Sequence, residues 1–120
     1  NESVLIKLGN ADKAKSETKN ALNMYQKVIF KNLKNTDAMF NAGLCYAELN
    51  DNNNAIKSFK NVIAIDPNYA YAYYALGMAY ENEKNYPESI ANYEKFMTLT
   101  DDNETKAQVK NQIEYLKNKK

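Results

Sequence analysis

Ala55-Ile56-Lys57-Ser58-Phe59-Lys60-Asn61-Val62-Ile63 places apolar side chains at its first, second, fifth, eighth and ninth positions. On a helix of about 3.6 residues per turn, those positions share one stripe. Exactly the same spacing, 34 residues upstream, reads Ala21, Leu22, Tyr25, Val28 and Ile29; 34 residues downstream it reads Ser89, Ile90, Tyr93, Phe96 and Met97. The chain's three glycines, Gly9, Gly43 and Gly77, keep the same interval. Six columns in one register define an internal repeat, and a repeat of this length governs the fold before any local propensity does.

Each repeat holds a second helical pattern ahead of the first. These leading stripes carry Leu5 and Leu8, then Met39, Ala42 and Tyr46, then Tyr73, Leu76 and Tyr80. Breaks separate them. Asp51-Asn52-Asn53-Asn54 is a turn with a helix-capping side chain, and Asn85 followed by Glu88 is spaced as a capping box, with Pro87 in the first turn where its missing N–H costs little. Asp66-Pro67-Asn68 closes the second repeat. The expected helices are 2–15, 18–31, 36–49, 52–65, 70–83 and 86–99, giving repeats at 2–35, 36–69 and 70–103. Residues 104–120 are expected to form a C-terminal capping helix, over 102–119 in all. Asp101 and Glu104 are spaced to open it, and Val109, Ile113 and Leu116 form its stripe, with Lys106, Lys110, Glu114 and Lys117 on the other face. Asn111 stands where the period asks for glycine, so this segment reads as a polar-faced cap and not as a fourth repeat.

A 34-residue helix–turn–helix unit with these residues resembles the tetratricopeptide repeat family. The second repeat matches through Met39, Ala42, Gly43, Tyr46, Ala55, Phe59, Val62 and Pro67, and the third through Tyr73, Leu76, Gly77, Tyr80, Ser89, Tyr93 and Phe96, with Asp101 in place of the proline. The first is degenerate: Leu5, Leu8, Gly9, Ala21, Tyr25 and Val28 fit, while Asp12 and Leu33 replace the expected tyrosine and proline. The resemblance implies an all-α fold, a right-handed superhelix (α-solenoid) of three hairpins with a capping helix. It also implies a protein–protein interaction module that takes a peptide or helix of a partner protein in a concave groove. A self-assembling scaffold and an accessory domain of a larger protein are the alternatives.

Composition narrows the chemistry. Sixteen Lys, no Arg and a net charge of +1 leave no concentrated basic face for nucleic acid. No apolar run approaches the roughly 18 residues that cross a bilayer, so direct membrane insertion is not expected. The chain begins at Asn1 instead of Met, which reads as a processed or excised piece. There is no His, and the single Cys45 excludes an internal disulfide and occupies a small-residue position suited to packing. Asp51, Asn53 and Ala55 break the alternation of a calcium loop. Neither a catalytic nor a cofactor nor a metal site is expected, and the chain does not read as an enzyme.

In the resembled family the leading helices line the groove. Here that implies Ser3, Ile6, Lys7, Asn10, Lys13 and Ala14; Asp37, Phe40, Asn41, Leu44, Ala47 and Glu48; and Tyr71, Tyr74, Ala75, Met78, Glu81 and Asn82. Ile6, Asn10, Phe40, Asn41, Leu44, Tyr71, Tyr74 and Met78 are the expected contacts, an aromatic-rich strip of the sort that supplies binding hot spots. Some relatives grip the acidic C-terminal tails of chaperones with a carboxylate clamp. Asn10 and Asn41 match its asparagines, but Ile6, Tyr71 and Ala75 stand where its three cations belong, so chaperone tails are not the expected partner. Charge is distributed unevenly along the chain: +4 over 2–35 (seven Lys, three acids), −2 over 36–69 (two Lys, four acids), −4 over 70–103 (two Lys, six acids) and +3 over 104–120 (five Lys, two acids). Basic ends and an acidic middle also permit head-to-tail self-association.

Overall fold

The computed structural model describes residues 2–119, with side chains from residue 15 onward. The elements are α1 (Glu2–Lys31), α2 (Thr36–Glu48), α3 (Asn52–Ile65), α4 (Ala70–Asn82), α5 (Tyr86–Leu99) and α6 (Asn103–Lys117), with no strand among the described residues. Each helix packs on the next in the chain, so α2–α3 and α4–α5 are antiparallel hairpins and α6 closes the stack.

The turns inside the two hairpins are copies of one another. Asn50 has φ 63° and Lys84 has φ 62°, again 34 residues apart. After each, an amide reaches back over the helix end: Asp51 N donates to Tyr46 O at 2.8 Å and Asn85 N to Tyr80 O at 2.9 Å. This is a Schellman termination, in which a left-handed residue lets the chain satisfy the last carbonyls and reverse. The next helix then starts on a cap. Asp51 Oδ1 accepts from Asn54 N at 3.3 Å, whereas Asn85 is the N-cap of α5 without a side-chain cap bond. The capping box expected from Asn85 and Glu88 is therefore not formed, and Pro87 in the first turn does the work of starting that helix.

The first repeat departs from expectation. The pair of helices at 2–15 and 18–31 is one continuous helix, α1. The register explains why. Ser16 and Glu17 occupy the places of Asn50–Asp51 and Lys84–Asn85, so the N-cap place held by Asp51 and Asn85 falls to Glu17, a good helix former whose longer side chain is a poor N-cap. The stack is thus a long helix, two hairpins and a cap helix.

Three of the expected columns lie at the core of the second and third repeats, while Ile56, Ile63, Ile90 and Met97 of the neighbouring columns are half-buried. Ala55, Phe59 and Val62 of α3 and Ser89, Tyr93 and Phe96 of α5 are all at most 3% exposed. Along α1 the same columns are more open: Ala21 and Tyr25 are half-buried and Val28 is 40% exposed. Gly43 and Gly77 show what the glycine column is for. A Cβ on Gly43 would stand 2.5 Å from Phe59 Cε1, and one on Gly77 would stand 2.5 Å from Tyr93 Cδ1. The Phe59 and Tyr93 rings thus sit against the helix backbone at Gly43 and Gly77, in the space a side chain would occupy. Ser89 fills the alanine column of the third repeat, and its hydroxyl is satisfied by donating to Gly77 O at 2.6 Å.

α6 buries Val109, Ile113 and Leu116 against Tyr93 and Phe96, the stripe expected of a cap. Its opening residue is Asp102, not Asp101: Asp102 Oδ1 accepts from Thr105 N at 3.1 Å and Oδ2 accepts from Thr105 Oγ1 at 2.6 Å. The N-cap selects the residue whose side chain reaches the third amide inward, which moves the boundary by one.

Candidate peptide-binding track

The leading helices α2 and α4 expose side chains at the four-residue spacing of one helix face, and this face is a chain of three hollows. The first, about 420 Å³, lies between α1 and α2 and is lined by Tyr25, Asn41, Leu44 and Glu48 among others. The second, about 270 Å³, runs from α2 to α4 over Leu44, Glu48, Phe59, Met78 and Asn82. The third, about 430 Å³, lies between α4 and α6 over Tyr74, Met78, Glu81, Asn82, Tyr93 and Gln112. Leu44 and Glu48 line the first two, and Met78 and Asn82 the last two, so the hollows adjoin one another along one track.

The expected contact residues divide. Asn41, Leu44 and Tyr74 are half-buried and line the hollows, and Met78, 40% exposed, stands between the second and the third. Phe40 and Tyr71 line none of the three. Phe40 is half-buried, with its ring 5.6 Å from Phe59 and 5.2 Å from Tyr69. Tyr71 is 46% exposed, yet its ring lies 5.5 Å from Phe96 and its hydroxyl donates to Asp102 Oδ2 at 3.1 Å. Each packs on the second helix of its own repeat and reaches the N-cap residue that opens the helix after it, Tyr69 of α4 for Phe40 and Asp102 of α6 for Tyr71. Ala75, also placed on the groove by the resemblance, is 4% exposed and packs beneath it. Ile6 and Asn10, together with Ser3, Lys7, Lys13 and Ala14, lie outside the residues whose side chains are described.

α6 supplies a wall that the sequence reading assigned only to capping. Gln108, Val109 and Gln112 line the third hollow. They fall 34 residues after Tyr74, Ala75 and Met78, which in turn follow Phe40, Asn41 and Leu44 by the same step. Extending the register once more, past the missing glycine at Asn111, identifies them.

Glu81 is the most organised polar group of the track. Tyr93 Oη donates to its Oε1 at 3.0 Å, and Gln112 Nε2 lies 3.0 Å from each of its oxygens. Burial, and then the hydrogen bond to Glu81, push the Tyr93 hydroxyl far above the usual tyrosine range, so it remains a donor at neutral pH. Glu48 accepts from Thr18 Oγ1 at 2.8 Å. Burial raises the Cys45 thiol, with the neighbouring Glu48 charge adding to it, and keeps it protonated. Tyr69 is half-buried, and that burial, followed by its donation to Asp37 Oδ1 at 2.8 Å, pushes its hydroxyl up to about 12. Among the described residues no three His, Cys, Asp or Glu side chains converge as metal ligands would.

Paired helices stacked on a 34-residue period, with a ring of each second helix on a glycine of the first, define an α-solenoid of the tetratricopeptide type. The comparisons agree: the "TPR repeat" description matches residues 43–84 and "Tetratricopeptide repeat" matches residues 70–103. The chain is a tetratricopeptide repeat protein. Among curated proteins it is similar to the probable UDP-N-acetylglucosamine–peptide N-acetylglucosaminyltransferase SPINDLY of Solanum lycopersicum, 29% identical over 90 residues. The match takes in 75% of this chain and 10% of that protein, so the chain spans about a tenth of the length of the curated relatives it matches. Among solved structures it is similar to the Yersinia enterocolitica type III secretion chaperone SycD in complex with a peptide of the translocator YopD (TM-score 0.81, 12% identity, 98% of this chain and 94% of that one). It is also similar to the first TPR of Spaghetti bound to an HSP90 peptide (TM-score 0.78, 21% identity, 95% and 88%). At these identities the likeness is one of fold.

Proposed function

We propose that this chain is a protein-interaction module whose joined hollows take an extended peptide or a helix of a partner protein. The observation that carries this reading is the continuity of the track. Leu44 and Met78 each belong to two hollows, so a single bound segment can contact α2, α4 and α6 together. Similar folds in complex with peptides, SycD with a peptide of YopD and Spaghetti with an HSP90 peptide, support a peptide-binding use of this fold. The transferase activity in the name of the plant relatives is not carried over, because the match takes in only a tenth of those proteins.

The occupant is not an acidic chaperone tail. Two positions that would need cations hold Tyr71, tied to Asp102, and Ala75, buried beneath the surface. Titration calorimetry with an acidic tail peptide is expected to give no heat of binding. A micromolar association that disappears on amidating the peptide's terminal carboxylate would reject this.

The reading itself is tested by affinity capture with the intact chain and its Leu44→Ala and Met78→Ala variants, followed by measurement of the captured partner's affinity. Truncating a central anchor is expected to cost about 2 kcal/mol of binding with little change in melting temperature for Met78. Variants that bind the partner as the parent does would remove the track from consideration. Phe40 is a poor probe, since its contacts with Phe59 and Tyr69 make Phe40→Ala a stability change.

A further inference from the structure

The charge of the track points to the chemistry of its occupant, an inference that rests on reading the hollows as a protein-binding surface. The floor is apolar and aromatic: Leu44, Phe59, Tyr74, Met78 and Tyr93. The ionisable acids set into it are Glu48 and Glu81, with Glu17 at the end of the first hollow, and no lysine lines any of the three hollows among the described residues. Both central carboxylates are held by neutral donors, Thr18 for Glu48 and Tyr93 with Gln112 for Glu81. Neutral donors orient a carboxylate without cancelling its charge. Lys119, whose ammonium feels the Glu81 charge, is held over the Tyr115 ring at 4.9 Å. Residues 36–103, which supply both central carboxylates, carry four Lys against ten acids, while the flanking segments 2–35 and 104–120 carry net charges of +4 and +3.

We propose that the track binds a lysine- or arginine-bearing segment of another protein, its apolar side chains over Leu44–Met78 and Tyr74–Tyr93 and its cations on Glu48 and Glu81. Beyond the weaker pull of the exposed Glu48, the half-buried Glu81, oriented beside low-dielectric walls, attracts a cation more strongly than a solvated carboxylate does. It also has lone pairs left for the donors of an ammonium or guanidinium. An acidic segment would meet the same two charges as repulsion, so the track discriminates by sign as well as by shape.

The test uses the whole chain and three blocked dodecapeptides that share Leu, Phe and Ser and differ only at three positions, filled with Lys, Gln or Glu. Binding is read by fluorescence anisotropy. The Lys peptide is expected to bind at least about tenfold more tightly than the Gln peptide, with the Glu peptide weakest. Its advantage should shrink as NaCl is raised from about 0.05 to about 0.5 M. The double variant E48Q/E81Q should lose most of the Lys-over-Gln margin while melting like the parent. The peptide series needs no variant, so a poorly folded mutant does not spoil the test. Equal binding of the Lys and Gln peptides overturns the charge assignment and leaves the track as a binding surface. Failure of all three peptides to bind overturns both. A dimer of the chain alone, abolished in E48Q/E81Q, would assign the carboxylates to the lysine-rich end of a second copy and overturn the assignment to another protein.

Discussion

Replacing Gly77 with alanine sets two effects of known sign against each other. Alanine is the better helix former by about 1 kcal/mol, and Gly77 lies in α4 without a positive φ, so backbone preference alone favours the substitution. The added methyl, however, would stand 2.5, 2.6 and 2.9 Å from three carbons of the Tyr93 ring. Carbon atoms in good contact are about 3.5–4.0 Å apart, so the ring must withdraw by about 1 Å. It has little freedom to do so. Tyr93 is 3% exposed, its hydroxyl is bonded to Glu81 at 3.0 Å, and Tyr74 packs edge-on with ring centroids 5.9 Å apart. Overpacking of this type costs about 1–3 kcal/mol, and the restraints on the ring put Gly77→Ala near the upper end. The net expectation is a loss of about 1–2 kcal/mol after the helix-propensity gain. For a chain of this length that lowers the melting temperature by about 3–6 °C per kcal/mol. Circular dichroism melts of the parent, Gly77→Ala, Tyr93→Leu and the double variant give the coupling directly. Gly77→Ala should be destabilising alone and neutral or stabilising beside Tyr93→Leu. A Gly77→Ala protein that melts at or above the parent would refute the packing argument.

Truncation after Asn103 removes Val109, Ile113 and Leu116, worth about 1.5–3 kcal/mol each as an upper estimate, and uncovers Phe96, now fully buried; sedimentation and melting should report association, lost stability or both, and a monomer melting like the parent would show that α6 is not a cap. Cys45, 8% exposed with its thiol raised by burial, should react with a thiol reagent at neutral pH only as fast as the fold opens; labelling as rapid as in denaturant would contradict this. Thr105 donors hold the Asp102 carboxyl below the usual carboxylate range, so its contribution to stability is present above the unfolded value and is lost as pH falls through the folded one. Asp102→Ala should therefore melt below the parent at neutral pH, with the gap narrowing below about pH 3.9. A gap independent of pH would remove the charged cap from the account.

The period, the stripes and the small columns were legible in the chain because each repeat places the same residue types in the same surroundings. A column such as Ala55 and Ser89, or Phe59 and Tyr93, reports burial through recurrence, and the structure buries all four. The left-handed turn residues Asn50 and Lys84 share the register but not the residue type, and Asn52–Asn54, read as a turn, form the first turn of α3. What local reading could not supply was the outcome wherever two elements compete for one residue. Whether α1 breaks depends on whether Ser16 and Glu17 can end a helix, and the expected stripes on either side are the same in a broken or an unbroken one. Phe40 and Tyr71 look like groove anchors by register, but the rings of Tyr69 and Phe96 and the Asp102 cap draw them into packing within their own repeats. Glu81 acquires its place only when Tyr93, 12 residues away, and Gln112, 31 residues away, converge on one carboxylate. Helical periodicity is a property of neighbours three and four residues apart, so sequence alone determines which face of each helix is apolar. The partners a polar side chain finds across that face are set by the approach of separate helices, and this belongs to the tertiary structure.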